Sequence, residues 1–270
     1  MKKIQYSIFA FLFVLFLSAC NTTNIKTTNN NTWKLIWEED FSKTDFLDKN
    51  KWNVAKRNKA DWGNYMSDLP ELIQSKNGKL RLRSIVNPNQ DIDPAPYLTG
   101  GVTTKDKFNF TYGKIEIRAK LENAQGAWPA IWMLPNSNKY GEYPRNGEID
   151  LMERLNADEQ FYQTVHSYYT LKLKETTNPK SGAITPVNAT KYNVYGLEWF
   201  PDKLVFTLNG KETFMYPKLE NVDQSQWPFD QPFYLIISMQ LEGNWVGKAK
   251  PEDLPVQMLI DWVKIYKSVD

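Results

Sequence analysis

The chain has 270 residues, with 33 lysines and arginines against 31 aspartates and glutamates. That length suits one large β domain or two ordinary ones, and so even a charge argues against a nucleic-acid partner. The only cysteine is Cys20, which excludes a disulfide framework within the chain.

Lys2 and Lys3 precede an apolar run, Ile8 to Leu17, that ends in "LSAC" at residues 17–20. This pattern predicts a secretory signal over residues 1–19. The small-residue pair before the cysteine is similar to the bacterial lipoprotein processing box, which implies cleavage before Cys20 and acylation of its thiol. The protein is then expected in the cell envelope, on the outer membrane, held to it by a lipid at Cys20. An uncleaved anchor or an ordinary signal peptide are the alternatives, although the run is shorter than the roughly 20 residues of a spanning helix. Loss of Lys2 and Lys3 with the signal takes the formal charge from +2 to zero. Residues 20–32 are, after Cys20, almost wholly Asn and Thr and read as a flexible polar tether.

From Trp33 onward, short runs alternate apolar with polar: "KLRLRSIV" at 79–86, "GKIEIRAKL" at 113–121, "DKLVFTLNG" at 202–210 and "MLIDWVKIYK" at 258–267. Each predicts a strand with one wet face. Asn77-Gly78 and Asn209-Gly210 supply the positive φ angles of tight hairpins. With no repeat and no second linker, residues 33–270 are expected to form one all-β domain, an antiparallel β-sandwich. A monomer is the default.

Ten tryptophans are many for such a chain. Trp128 and Trp132, in "GAWPAIWMLP", lie just before an acidic segment, and "GNWVG" adds Trp245. Indoles stack on sugar rings when they line a groove, whereas core packing is the usual fate of any single tryptophan.

The acidic segment is "NGEIDLMER", with Glu148, Asp150 and Glu153 among Ile149, Leu151 and Met152. On a regular strand Glu148 and Asp150 share a face and Glu153 takes the other. One extra residue at Leu151 or Met152, a β-bulge, brings Glu153 back to their face. Two carboxyls about 5 to 5.5 Å apart across a glycosidic bond are the retaining-glycosidase arrangement, one attacking and one protonating. Asp150, between them, is placed to tune the nucleophile. A solvated acidic edge or a cation site is the alternative reading of the spacing.

"GEIDLMER" closely resembles the Glu-x-Asp-x-x-Glu signature of glycoside hydrolase family 16, in its bulged form. The resemblance continues in order through "FTYGKIEIRAKL", "GAWPAIWMLP", "QTVHSYY", "YGLEWFPDKLVFTLNGK", "QPFYLIISMQLEGNWVG" and "MLIDWVKIYK". It implies a concanavalin-like jelly-roll sandwich with a glycan-binding groove across a concave sheet, and a retaining, endo-acting mechanism. By the same resemblance Glu148 is the nucleophile, Glu153 the acid/base and Asp150 the assisting acid. Trp128, Trp132, Trp245, Asn64 and His166 are the expected substrate-binding residues. No cofactor is needed for catalysis. A structural calcium on the convex side is implied, with Asp261 giving a carboxylate and Gly78 a backbone carbonyl; a surface salt bridge accounts for Asp261 equally well.

"ADWGNYMSDLPELIQ" at 60–74 and "SYY" at 167–169 depart from the patterns of glucan-active members. The leading expectation is an endo-β-glycanase on β-1,3- or mixed β-1,3/1,4-glucan, followed by an endo-β-galactosidase on host O-glycans, poly-N-acetyllactosamine or algal galactans. A glycan-binding surface lipoprotein without catalysis is the reading from another class.

Overall fold

The structure, a computed structural model, describes residues 32–42 and 47–269. The expected signal, Cys20 and the tether up to residue 31 lie outside the described residues. Alternation does shape the rest as expected: the described residues form two antiparallel sheets, with a single four-residue α-helix at Tyr168–Leu171. Both Asn-Gly pairs sit between paired strands with positive φ at each residue, as two-residue hairpins require.

One sheet has nine strands, with Gly113–Leu121 and Val256–Ser268 paired near its centre. The other has seven, in the order Gly182–Pro186, Gln160–His166, Glu148–Glu153, Ala127–Pro135, Phe233–Leu241, Gly101–Thr103 and Asn53–Val54. The acidic strand is therefore third from one edge, with a strand on each side. Between the sheets lies one large core, in which Ile115, Ile117 and Leu121 face Ile131, Met133, Ile149, Leu235 and Ile237. Trp52, Trp199 and Trp227 are buried there, so these indoles follow the ordinary core account.

The same alternation paves the outer face of the seven-stranded sheet. As Ile131 and Met133 point inward, Ala130, Trp132 and Leu134 point out, where they meet Tyr234, Ile236 and Trp62 in a second apolar cluster. This face carries the acids.

The acidic strand changes register in its middle. Trp132 pairs with Asp150 and Ile131 with Met152, so Leu151 is the additional residue; on the other side Thr164 pairs with Asp150 and Tyr162 with Glu153. Leu151 and Met152 both enter the core. Two consecutive inward residues turn Glu153 outward, beside Glu148.

Gly147 lets the chain enter this strand. Its φ is +80°, and a Cβ there would lie 2.6 Å from Pro228 Cγ and 2.8 Å from Phe229 Cε1. Gly147→Ala is expected to lower stability by roughly 2 to 3 kcal/mol, combining a strained φ with overpacking. A denaturation midpoint equal to wild type would remove Gly147 as a constraint on the fold.

Candidate active site

A cleft of about 380 Å³ opens over the acidic strand, lined by Glu148, Glu153, His166, Thr164, Gln240, Tyr143 and four tryptophans, Trp62, Trp128, Trp132 and Trp245. Asp150 lies beneath, 2% exposed, and Glu153 is 9% exposed. His166 stands opposite Glu148 in the register, its Nε2 3.3 Å from Asp150 Oδ2. Trp128 Nε1 donates to Glu153 Oε1 at 3.0 Å. Trp132 Nε1 donates to Ser238 Oγ at 3.2 Å, and Gln240 Nε2 to the same oxygen at 2.8 Å.

Burial of three carboxyls side by side favours their neutral forms. Burial first, then the charge of Asp150, pushes Glu148 up to about 8, against the opposing pull of His166 and the Tyr143 hydroxyl. Burial also raises Asp150, with the neighbouring Glu148 opposing. Glu153 is raised well above the carboxylate range by burial and by the charges of Asp150 and Glu148, with the Trp128 bond opposing. Such a cluster retains protons at neutral pH, so one carboxyl is able to donate while a neighbour is ionised.

Two loops build the aromatic wall. Asp61 Oδ2 accepts from the Asn244 amide at 2.8 Å, which ties the turn carrying Trp62 to the loop carrying Trp245. A second tie is Glu242, whose carboxylate accepts from Tyr65 Oη at 2.9 Å, Lys248 Nζ at 3.1 Å and the Ala249 amide at 3.0 Å. Trp245 then rests edge-on against Trp128 and Tyr162, with ring centroids 5.7 and 4.9 Å away.

Of the residues singled out in the sequence, the cleft thus gathers Glu148, Glu153, Trp128, Trp132, His166 and Trp245 over Asp150. Asn64 is not among its lining residues; it ends the turn Asp61–Gly63, and its neighbour Trp62 enters the cleft instead. Sequence reading missed Trp62, Tyr143, Thr164 and Gln240. Thr164 and Gln240 had a signal in strand parity, since they share outward faces with His166 and Ser238; Trp62 and Tyr143 sit outside regular strands and had none.

The expected calcium site does not fit the residues present. Asp261 Oδ1 accepts from Lys79 Nζ at 2.8 Å and Oδ2 pairs with Arg118 Nη1, so both oxygens already face cations. Both cations also sit against the Tyr192 ring, at 5.4 and 4.4 Å from its centroid. Gly78 occupies the adjoining hairpin turn, and no group of three metal-binding side chains is assembled among the described residues. Asp261 is held below its ordinary range: burial works against this, but the Lys79 and Arg118 hydrogen bonds outweigh it.

A β-sandwich whose open face gathers buried carboxylates between indole walls defines a carboxylate-dependent glycoside hydrolase. Residues 72–264 match the family model for glycosyl hydrolases family 16, and the chain belongs to that family. It is 36% identical to the keratan-sulfate endo-1,4-beta-galactosidase of Sphingobacterium multivorum over 92% of its own length and 57% of the relative's. The laminarinase of Rhodothermus marinus superposes with a TM-score of 0.81 at 30% identity, covering 89% of this chain and 99% of that one. A third protein, solved in work on endo-acting O-glycanases that human gut microbiota express to initiate mucin breakdown, gives a TM-score of 0.75 at 31% identity. That match covers 88% of this chain and all of the other. The fold is the family's jelly roll.

Two outcomes follow from these charges. Carboxyls raised on folding contribute stability that is full below the unfolded carboxylate range, about pH 4, and is lost as pH rises through about 8. Glu148→Gln is therefore expected to melt several degrees higher than wild type near pH 8 and at the same temperature near pH 4; equal melting temperatures at both pH values would refute the raised titration. Separately, calcium or a chelator should leave the wild-type melting temperature unchanged within about 1 °C, whereas millimolar calcium raising it by several degrees would restore the metal site.

Proposed function

We propose that the chain is a retaining endo-β-glycosidase whose nucleophile is Glu148 and whose acid/base is Glu153. The observation that carries this is the pair of glutamates brought to one cleft by the Leu151 bulge. Ionised Glu148 attacks the anomeric carbon while protonated Glu153 gives its proton to the departing glycosidic oxygen. A glycosyl ester forms on Glu148 as that C–O bond breaks. Glu153, now a carboxylate, takes a proton from water; the hydroxide oxygen bonds the anomeric carbon and Glu148 leaves as a carboxylate. Asp150, buried beside Glu148, tunes the nucleophile by charge: ionised, it favours the protonated form of Glu148, and taking up a proton itself relieves that repulsion. Trp128 holds Glu153 in place.

An internal site of cleavage is supported by the surface beside the cleft. A cavity of about 960 Å³, which shares Trp62 with the cleft and is lined by Tyr234, Ile236 and Leu134, continues along the same sheet face. Several sugar units fit such a path.

For the substrate, a β-linked galactose-containing glycan is the better reading. The keratan-sulfate relative is the more similar in sequence at 36%, and Ala60–Gln74, which departs from the glucan pattern, supplies Trp62 to the cleft. The laminarinase superposition supports β-1,3- or mixed-linkage glucan as the second reading. The signal-like segment and Cys20 support a lipid-anchored place in the cell envelope, with the domain exported.

Residues 33–270 incubated with poly-N-acetyllactosamine-bearing mucin glycans, keratan sulfate, agarose, laminarin and mixed-linkage glucan should release internal oligosaccharides from the galactose-containing class. Release from laminarin alone would select the glucan reading, and binding without product from any would select glycan capture. Glu148→Gln should lower turnover by at least about 10⁴-fold while keeping glycan binding; wild-type turnover in that variant would remove Glu148 as the nucleophile.

A further inference from the structure

The outer face of the seven-stranded sheet continues past the acids on a side that no role above uses. Glu153 pairs with Tyr162, and Tyr162 with Ile184 on the edge strand Gly182–Pro186, so the three side chains form one row across the sheet. Tyr162 is fixed at its hydroxyl, which accepts from Gln160 Nε2 at 3.3 Å and donates to Asp158 Oδ2 at 3.4 Å. Trp245, 46% exposed, stands against it edge-on with ring centroids 4.9 Å apart. Ile184, at the end of the row, is 58% exposed. A lone exposed isoleucine is ordinary. One aligned with a fixed phenol ring and an exposed indole, beside the acid/base, completes a short apolar corner with a floor, a wall and a rim.

The sugar under attack needs the closest enclosure, and Trp62, Trp128 and Trp132 supply it on the other side of the acidic strand, over Ala127–Pro135. The departing unit then lies over Tyr162. A pyranose stacked on that ring spans about one strand spacing, roughly 4.8 Å, so Ile184 meets its rim and not its face. In a hexose the rim carries hydroxyls, which lose water against an aliphatic side chain and gain no partner. In an N-acetylhexosamine it carries an acetamido methyl, which isoleucine covers favourably. Charge points the same way. Residues 160–166 and 182–186 contain no Asp, Glu, Lys or Arg, whereas Lys56, Arg57, Asp68, Asp93, Lys105 and Asp106 line the cavity at the far end of the cleft. Asp158, at the Tyr162 hydroxyl, further disfavours a sulfate or carboxylate here.

We propose that Tyr162, Trp245 and Ile184 form the subsite for the leaving unit, and that it selects an N-acetylhexosamine by setting the acetamido methyl against Ile184. This rests on Glu153 being the acid/base. Thr164, two residues along the same face, lines the cleft and offers its hydroxyl to the amide.

The test uses two tetrasaccharides, Gal-β-1,4-GlcNAc-β-1,3-Gal-β-1,4-GlcNAc and the same chain ending in glucose, which differ only in the acetamido group of the reducing-end unit. Calorimetry on Glu148→Gln, in residues 33–270, reads binding without turnover. The N-acetylglucosamine chain should bind about tenfold more tightly, as expected for one small apolar group in a matching recess. Adding Ile184→Thr should bring the two affinities within about twofold; threonine keeps the β-branch at an exposed strand position, and an unchanged melting temperature verifies the fold. In wild type the same preference should appear in kcat/KM. Equal affinities in Glu148→Gln, a preference that survives Ile184→Thr, or binding of neither chain overturns the proposal. A binding preference lost in Ile184→Thr, with no product from either chain in wild type, would sink the glycosidase reading alone and leave an N-acetylhexosamine site of a glycan-capture protein.

Discussion

The site depends on one irregularity, the extra residue at Leu151. A sandwich strand is built to put alternate side chains into a dry core, and three carboxyls at offsets of two and three cannot all avoid that core on a regular strand. The bulge resolves the conflict by sending Leu151 and Met152 inward together. The acids then share one face, and their mutual repulsion, together with burial, raises the energy of every charged form. Much of what surrounds them opposes that repulsion: the Trp128 indole N–H on Glu153 and the His166 ring near Asp150.

The tryptophans divide by the same parity that orders the strands. Those buried in the core include Trp199, whose Nε1 donates to the Phe229 carbonyl at 3.0 Å. Those on the outward face, Trp128 and Trp132, extend their rings into the cleft, and the two loop indoles Trp62 and Trp245 close it from either side. Trp62 meets Trp132 edge-on at 4.9 Å, so the wall is continuous with the floor. An aromatic count alone does not separate these uses; position on the strand does.

The sheets and the acidic triad were legible because both are local: alternation decides a strand's faces, and the spacing of the acids with their apolar neighbours calls for a bulge. What escaped the sequence is assembled over long separations. Trp62 reaches the cleft because Asp61 and Tyr65 bind residues 244 and 242, more than 170 positions away, and nothing in the run 60–74 announces that pairing. Asn64 is two residues from Trp62 and was the wrong member of its turn to place in the cleft. Asp261 shows the converse: a carboxylate in the expected place, but with Lys79 and Arg118 brought to it across the sheet, so its chemistry is that of an ion pair.

That ion pair alters how the protein relates to its surroundings. A bound divalent ion exchanges with the medium, so a fold that needs one is only as secure as the free-ion activity outside it. Lys79 and Arg118 are covalently part of the chain and cannot be diluted away. Carrying its own positive charge on the face away from the cleft, this sandwich has its structural cations already in place.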